Sequence, residues 1–332
     1  MISHEQLMKQ IKYLFFLFIS LFFSCTPEEM TGSNYEEIIS KLPDKQIITL
    51  PTYDGSNQAV HPDILFFKDG FRGHFFYLSM TPYPFSNARL ENPSVLVSEN
   101  GIDYYEEKQG LNPLVAAPPY DHNDDPDLMF NDKTKTFHLY YLETLRPYSQ
   151  NVILLRSKDG IYWDKQQILH FNLSAREDFI LSPSVIKKES TFWMFFVNRS
   201  AKKNQIQYMT SADGIHWDKS LFTVIHADYP DELVPWHVDV FSDGQQYYLL
   251  CCGPYEDQNL YLAKSSDLKI WDFIREPIIR HSPDFFNSTK IYRSSGLVIG
   301  DYLFIWFSFE NLNKEWQIGM IKYSLNNLAP RF

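Results

Sequence analysis

Five short motifs carry most of the side chains able to do chemistry. They are His61-Pro62-Asp63-Ile64, Asp125-Pro126-Asp127-Leu128, Ser182-Pro183-Ser184-Val185, Trp236-His237-Val238-Asp239 and Tyr292-Arg293-Ser294-Ser295. Segments between them add Tyr83, Arg89 and Glu91. Such acids, cations and aromatics suit glycosidic cleavage, which needs one carboxyl group to protonate the leaving oxygen and another to activate water or attack. Asp63 is the candidate base. Glu91 or Asp239 is the candidate acid, its pKa raised by burial or by a like charge. Asp127 would orient water or tune Asp63. His61, Arg89, Asp125, His237 and Arg293 are candidate substrate-binding residues, and Tyr83 and Trp236 would stack on a sugar face. Structural roles compete. An Asp at the start of a strand often caps its own turn, the favoured account of Asp125 taken alone. Matching positions in two successive motifs favour function for Asp63 and Asp127. His61 and His237 also read as satisfied structural histidines. Arg293, if buried, calls for an anionic partner from the site or from a ligand.

The motifs recur at a period of roughly 60 residues, which makes them parts of a repeat. Units start near residues 61, 125, 182, 236 and 292. Each continues with a second strand (HFFYLSM, FHLYYLE, FWMFFVN, YYLLCCG, LFIWFSF). Four units then close on SENGIDYY, SKDGIYW, SADGIHW or SSDLKIW, and the fifth on a degenerate KYSL. Asn-Gly and Asp-Gly at one phase mark turns that need positive φ. Strand-only units in this number predict an all-β fold, a five-bladed β-propeller of four-stranded antiparallel blades. The segment QIITLPTY at 46–53 is the candidate outer strand that closes the ring on blade five. Trp163, Trp217 and Trp271 fall at a core phase, and Cys251 and Cys252 read as core. Loops at one mouth of the channel would gather the chemistry, with Arg199 and Glu256 among their residues.

The N-terminal stretch reads as an address. An uncharged run, YLFFLFISLFF at 13–23, follows Lys9 and Lys12. A membrane-spanning helix needs about 20 apolar residues, so this run fits a signal peptide instead. Ser24-Cys25 after it resembles a bacterial lipobox, with Cys25 as the lipidated residue. Glu28 and Glu29 resemble an export signal for surface-displayed lipoproteins. The expected organisation is a signal peptide at 1–24, a tether at 25–45 and the propeller at 46–332. The expected place is the bacterial cell envelope, periplasmic or on the outer-membrane surface, with membrane contact through the lipid alone. Net charge is −11, from 41 acidic and 30 basic residues. That excess argues against a nucleic acid partner. The 17% aromatic content excludes disorder, and three cysteines are too few for a disulfide framework. No nucleotide loop, zinc-ligand spacing or nucleophilic Ser motif stands out. No metal or cofactor is therefore expected, although the oxygen-rich channel admits a structural Ca²⁺.

At this point the residues resemble the five-bladed propeller glycosidases, glycoside hydrolase families 43 and 32 and their relatives. The resemblance covers most of 46–330 and rests on the period, the Asp-bearing strand starts and the Ser-x-Asp-Gly-x-x-Trp turns. It implies a blade-one carboxylate, which Asp63 matches. It also implies acids on blades three and four, where this chain has Ser182 and Ser184, then His237 and Asp239. The Glu-Gly-Pro or Glu-Cys motif of the family acid is absent. The chain thus resembles a distinct branch, expected to be a glycoside hydrolase acting on a carbohydrate. A glycan-binding lipoprotein without catalysis is the alternative. A phosphorylase or transferase using Arg89, Arg293, Lys202 and Lys203 ranks third.

Overall fold

The structure is a computed structural model that describes residues 35–173, 179–199, 203–255 and 258–332. The leader 1–24, Cys25, residues 26–34, Lys202 and Glu256 lie outside the described residues. A helix α1 (Tyr35–Lys41) and a strand β1 (Lys45–Ile48) precede five sheets arranged as a propeller. Blade one is β2 (Ala59–Phe71), β3 (His74–Pro82) and β4 (Ser94–Ser98), extended by a bridge between Val97 and Tyr105. Blade two is β5 (His122–Asn131), β6 (Thr136–Leu145), β7 (Ser149–Ser157) and β8 (Asp164–Asn172). Blade three is β9 (Ile180–Lys188), β10 (Thr191–Asn198), β11 (Gln205–Ser211) and β12 (Thr223–Val224). In blade four, β13 (His226–Ala227) runs parallel to the outermost of β14 (His237–Ser242), β15 (Tyr247–Gly253), β16 (Asn259–Ser265) and β17 (Ile270–Phe273). Blade five is β18 (Ser288–Ile299), β19 (Tyr302–Asn311) and β20 (Trp316–Ser324), with β1 antiparallel on β20 as its fourth strand.

Each blade packs on a neighbour through both faces. That is why β3, β6, β10, β15 and β19 read as continuous apolar runs rather than alternating ones. Five hydrophobic cores fill the five interfaces. Residues 35–45, expected as tether, instead contain α1, whose Ile39 is buried with Leu42 in the core shared by blades one and five. Ile38, Ile39 and Leu42 have the spacing of one helix face, a signal masked in the sequence by the polar residues around it.

Around the channel the innermost strands carry two layers of polar residues. The lower layer is Asp63, Asp127, Ser184, Asp239 and Ser295, and each accepts the backbone N–H of a residue on the next blade. Asp63 takes Leu128, Asp127 takes Val185 (2.9 Å), Ser184 takes Val240 (2.9 Å), Asp239 takes Gly296 (2.9 Å) and Ser295 takes Ile64 (3.2 Å). One bond thus crosses every interface. The upper layer lies two residues earlier on each strand: His61, Asp125, Ser182, His237 and Arg293.

Candidate active site

The upper layer meets at Asp125. Its Oδ2 accepts the Ser182 N–H at 2.8 Å. Its Oδ1 lies 3.3 Å from His61 Nε2, 3.2 Å from His237 Nδ1 and 3.4 Å from Arg293 Nη1. Backbone conformation directs these side chains. His61, Asp125 and Ser182 have positive φ of 56°, 51° and 56°, each just before a proline. Register shifts fall between Val60 and Asp63 and between Asp124 and Asp127. Bulges of this kind re-aim a side chain, and left-handed non-glycine residues cost on the order of 1–3 kcal/mol each. Three strained residues therefore stand where polar groups turn into the mouth.

Burial, reinforced by the Arg293 guanidinium, holds His61 well below the usual histidine pKa against the pull of Asp125. His61 Nδ1 is 3.0 Å from Thr81 Oγ1 and 3.5 Å from Glu91 Oε2. His61 Nε2, both ring nitrogens of His237 and Glu91 Oε2 are buried without a hydrogen-bond partner. Orphaned polar atoms are rare in interiors, and here they cluster in one place. Ligand atoms of His61, Asp125 and His237 lie within 4.8 Å of one another. Two imidazoles and a carboxylate form a donor set that suits Zn²⁺, Mn²⁺ or Fe²⁺, and the orphaned nitrogens fit such an ion.

A charged arm from blades one and two adjoins the cluster. His122 lies between Asp121 (Nδ1 to Oδ1, 2.5 Å) and Asp124 (Nε2 to Oδ2, 3.1 Å). Burial opposes its charge, but Asp124, Glu91 and Asp121 prevail and hold its pKa up to about 10. Burial and Asp124 push Glu91 well above the carboxylate range, with His122 opposing. Arg146 fixes Asp121 from outside with two guanidinium bonds, at 3.0 and 2.9 Å, and a third from its backbone N–H at 2.9 Å.

Aromatic rings line the other side. Tyr292 stands edge-on to His237 at 4.3 Å between centroids and 5.2 Å from Trp316, which lies 5.6 Å from Tyr83. Trp236 contacts Tyr255 at 4.6 Å, with Arg199 4.4 Å above it. Of the residues expected from the sequence, the mouth gathers His61, Tyr83, Glu91, Asp125, Trp236, His237 and Arg293. Arg89 is exposed and donates to the carbonyls of Pro119 and Tyr120 instead.

Asp63, Asp127 and Asp239 lie one layer deeper, in the interblade ring. Asp63 also accepts from Ser295 Oγ (2.7 Å) and Ile64 N–H (3.1 Å). From the far end of the channel, a cavity of about 530 Å³ lined by Phe66, Phe130 and Phe241 reaches these three acids. Arg293 joins the layers, its Nη2 3.7 Å from Asp127 Oδ1. Sequence reasoning missed His122, Asp124 and Tyr292. The acid- and histidine-dense run Asp121-His122-Asn123-Asp124-Asp125 is the signal that could have revealed the first two.

Comparison with known proteins places this geometry in context. The model of the glycosyl hydrolases family 32 N-terminal domain matches residues 116–289. The A type blood N-acetyl-α-D-galactosamine deacetylase of Flavonifractor plautii is 23% identical, over 90% of this chain and 46% of that protein. The chain thus spans about half the length of this curated relative. The crystal structure of an N-acetylgalactosamine deacetylase from F. plautii, in complex with blood group B trisaccharide, superposes with a TM-score of 0.74 at 20% identity, covering 84% of this chain and 94% of that one. The α-L-arabinofuranosidase of Lactobacillus brevis gives a TM-score of 0.60 at 12% identity, with 80% and 91% covered. At these identities the two structures show the shared fold.

Proposed function

Because this chain belongs to the family of the glycosyl hydrolases family 32 N-terminal domain, we propose that its channel mouth processes a glycan. On this reading the reaction is hydrolysis of an N-acetyl amide, aided by a divalent cation held by His61, Asp125 and His237. One observation carries it: histidine nitrogens from two blades, lacking hydrogen-bond partners, converge on a carboxylate from a third. The deacetylase of F. plautii supports the same substrate class.

A bound cation supplies Lewis-acid activation of the amide carbonyl and of water. Glu91 Oε2, 3.5 Å from His61 Nδ1, stands beside the cluster. It takes a proton from the attacking water and passes it to the departing nitrogen. A cation held by His61, Asp125 and His237 would oppose the effect of burial on Glu91 and favour its ionised form. His122, charged between its carboxylates, stabilises negative charge that builds on the Glu91 side. Tyr83, Trp236 and Tyr255 hold the sugar face. The products are an amino sugar and acetate. The leader and Cys25 would tether this activity to the cell envelope.

The paired-carboxylate glycosidase is the second reading. It is favoured by the raised pKa of Glu91, which suits a general acid. Acetate and reducing-sugar release from N-acetylated oligosaccharides, with metal analysis of the purified protein, separates the two. We expect acetate release that stops with EDTA and returns with a divalent cation. Asp125→Asn lowers it at least roughly 100-fold, whereas Asp63→Asn keeps most of it in the folded protein. Reducing-sugar release without acetate, indifferent to EDTA, would install the second reading.

A further inference from the structure

We propose that the glycan taken at this mouth is anionic, carrying a carboxylate or sulfate ester on the sugar next to the acetylated one. The proposal rests on the reading of this mouth as a glycan site and deepens it. The two sides of the mouth differ in chemistry. Blades one and two supply Glu91, His122 and Asp124, whose charges are matched among themselves. Blades three, four and five supply an aromatic platform with cations on it. Arg199, at the end of β10, lies 4.4 Å over Trp236 and 5.4 Å over Phe179. Lys290, on β18, lies 5.5 Å over Tyr255. Trp236 and Tyr255 touch at 4.6 Å, so the two cations stand on one continuous surface. That surface reaches the cluster directly, because Trp236 lies 6.2 Å from the His237 ring. Lys290 precedes Tyr292 by two residues on β18.

Three other cations near the mouth have carboxylates: Arg146 has Asp121, Lys314 has Glu310, and Arg293 has Asp125. Among the described residues, Arg199 and Lys290 have only rings. Ring contacts leave the guanidinium and ammonium N–H groups available to a ligand. An arginine over a sugar-stacking ring suits bidentate capture of a planar carboxylate or of a sulfate. The net charge of −11 repels polyanions at long range, so the preference must come from these local contacts. A sugar with its acetamido group at the cation cluster extends over Trp236 and Tyr255. There its neighbour's anionic group meets Arg199 and Lys290.

Calorimetric titration of the full chain at fixed salt tests this with four tetrasaccharides. They are neutral chitotetraose, an unsulfated alternation of N-acetylglucosamine and glucuronate, its carboxyl-reduced form, and a sulfated uronate-free glycan. At least one anionic ligand should bind roughly 10-fold or more tightly than chitotetraose. Loss of that gain on carboxyl reduction identifies the carboxylate as the anion; a gain confined to the sulfated ligand identifies the sulfate. The double variant Arg199→Gln with Lys290→Gln should erase the gain, and Arg199→Lys should keep part of it. Equal affinity for chitotetraose, a gain that survives in the double variant, or no binding of any glycan would overturn the proposal. Acetate release is scored separately. Anionic preference without acetate release keeps this inference and removes the deacetylase reading; equal deacetylation of neutral and anionic ligands, with equal affinity, does the reverse.

Discussion

Asp125 and Asp127 stand two positions apart on β5 and meet different surroundings. Asp125 faces two imidazoles and a guanidinium, which hold it ionised well below the carboxylate range despite burial. Asp127 binds the Val185 N–H, and burial and Asp63 push it well above that range. Repeat phase separated them the other way: an acid recurs at the Asp127 phase, as Asp63 and Asp239, but not at the Asp125 phase, and depth along the channel, which phase does not report, is what differs. The acids, His61, His237 and Arg293 were therefore legible as a set, but their order of importance was not. The cluster of His61, Asp125 and His237 was invisible to motif spacing because its residues sit on three blades. His122 gives a pH prediction. Its folded pKa of about 10 exceeds its ordinary 6.5, because Asp124, Glu91 and Asp121 surround it and outweigh burial. The stability it contributes is complete below about 6.5 and is lost as pH rises through about 10. Thermal melts should drop steadily between pH 7 and 9.5, by on the order of 1–3 kcal/mol. His122→Gln should flatten that slope, and an unchanged slope in the variant would remove His122 as its source.

At the scale of elements, the closing turns were the most legible feature. In each of blades two, three and four a serine hydroxyl (Ser157, Ser211, Ser265) accepts two backbone N–H groups and donates to the Asp two residues on. The indole N–H of Trp163, Trp217 or Trp271 then donates to the carbonyl at the glycine phase. Blade one repeats the serine pattern through Ser98 and Asn100. This explains why the motif marks architecture: its serine hydroxyl, one Asp oxygen and its indole N–H are all used within the turn. The glycine phase needs positive φ, 79° at Gly160 and 76° at Gly214, and Leu268 accepts 72° there for the sake of its buried side chain. At Gly214 a methyl group would also lie 2.8 Å from Tyr140 Oη and 3.0 Å from Phe192 Cδ1. Gly214→Ala should therefore destabilise the protein by about 2–3 kcal/mol through strain and overpacking, with acetate release per folded molecule unchanged. Equal denaturation midpoints for variant and parent would show that the interface between blades two and three yields freely.

For the whole molecule, the ring is held at two radii. Near the axis, five side chain to backbone bonds pass from blade to blade. At the rim, β1 joins the two ends of the chain by pairing Lys45–Ile48 with Ile321–Ile318 of β20. Residues 35–50 also bury Ile39, Leu42, Ile48 and Leu50. Four such side chains contribute roughly 6–12 kcal/mol, comparable to the entire stability of a typical domain, about 5–15 kcal/mol. The sequence placed a closing strand at 46–53 but left the preceding helix in the tether, because one short amphipathic turn among charges carries little periodic signal. Truncation from the N-terminus distinguishes closure from mere attachment. A chain starting at Tyr35 should melt in one cooperative transition. A chain starting at Lys45 keeps the strand, loses Ile39 and Leu42, and should melt at a lower temperature. A chain starting at Pro51 loses the strand too, leaves the β20 edge unpaired, and should be aggregated on size exclusion. If it instead melted with the Tyr35 chain, the axial bonds alone would close the propeller, and the segment leading back to Cys25 would be a tether along its whole length.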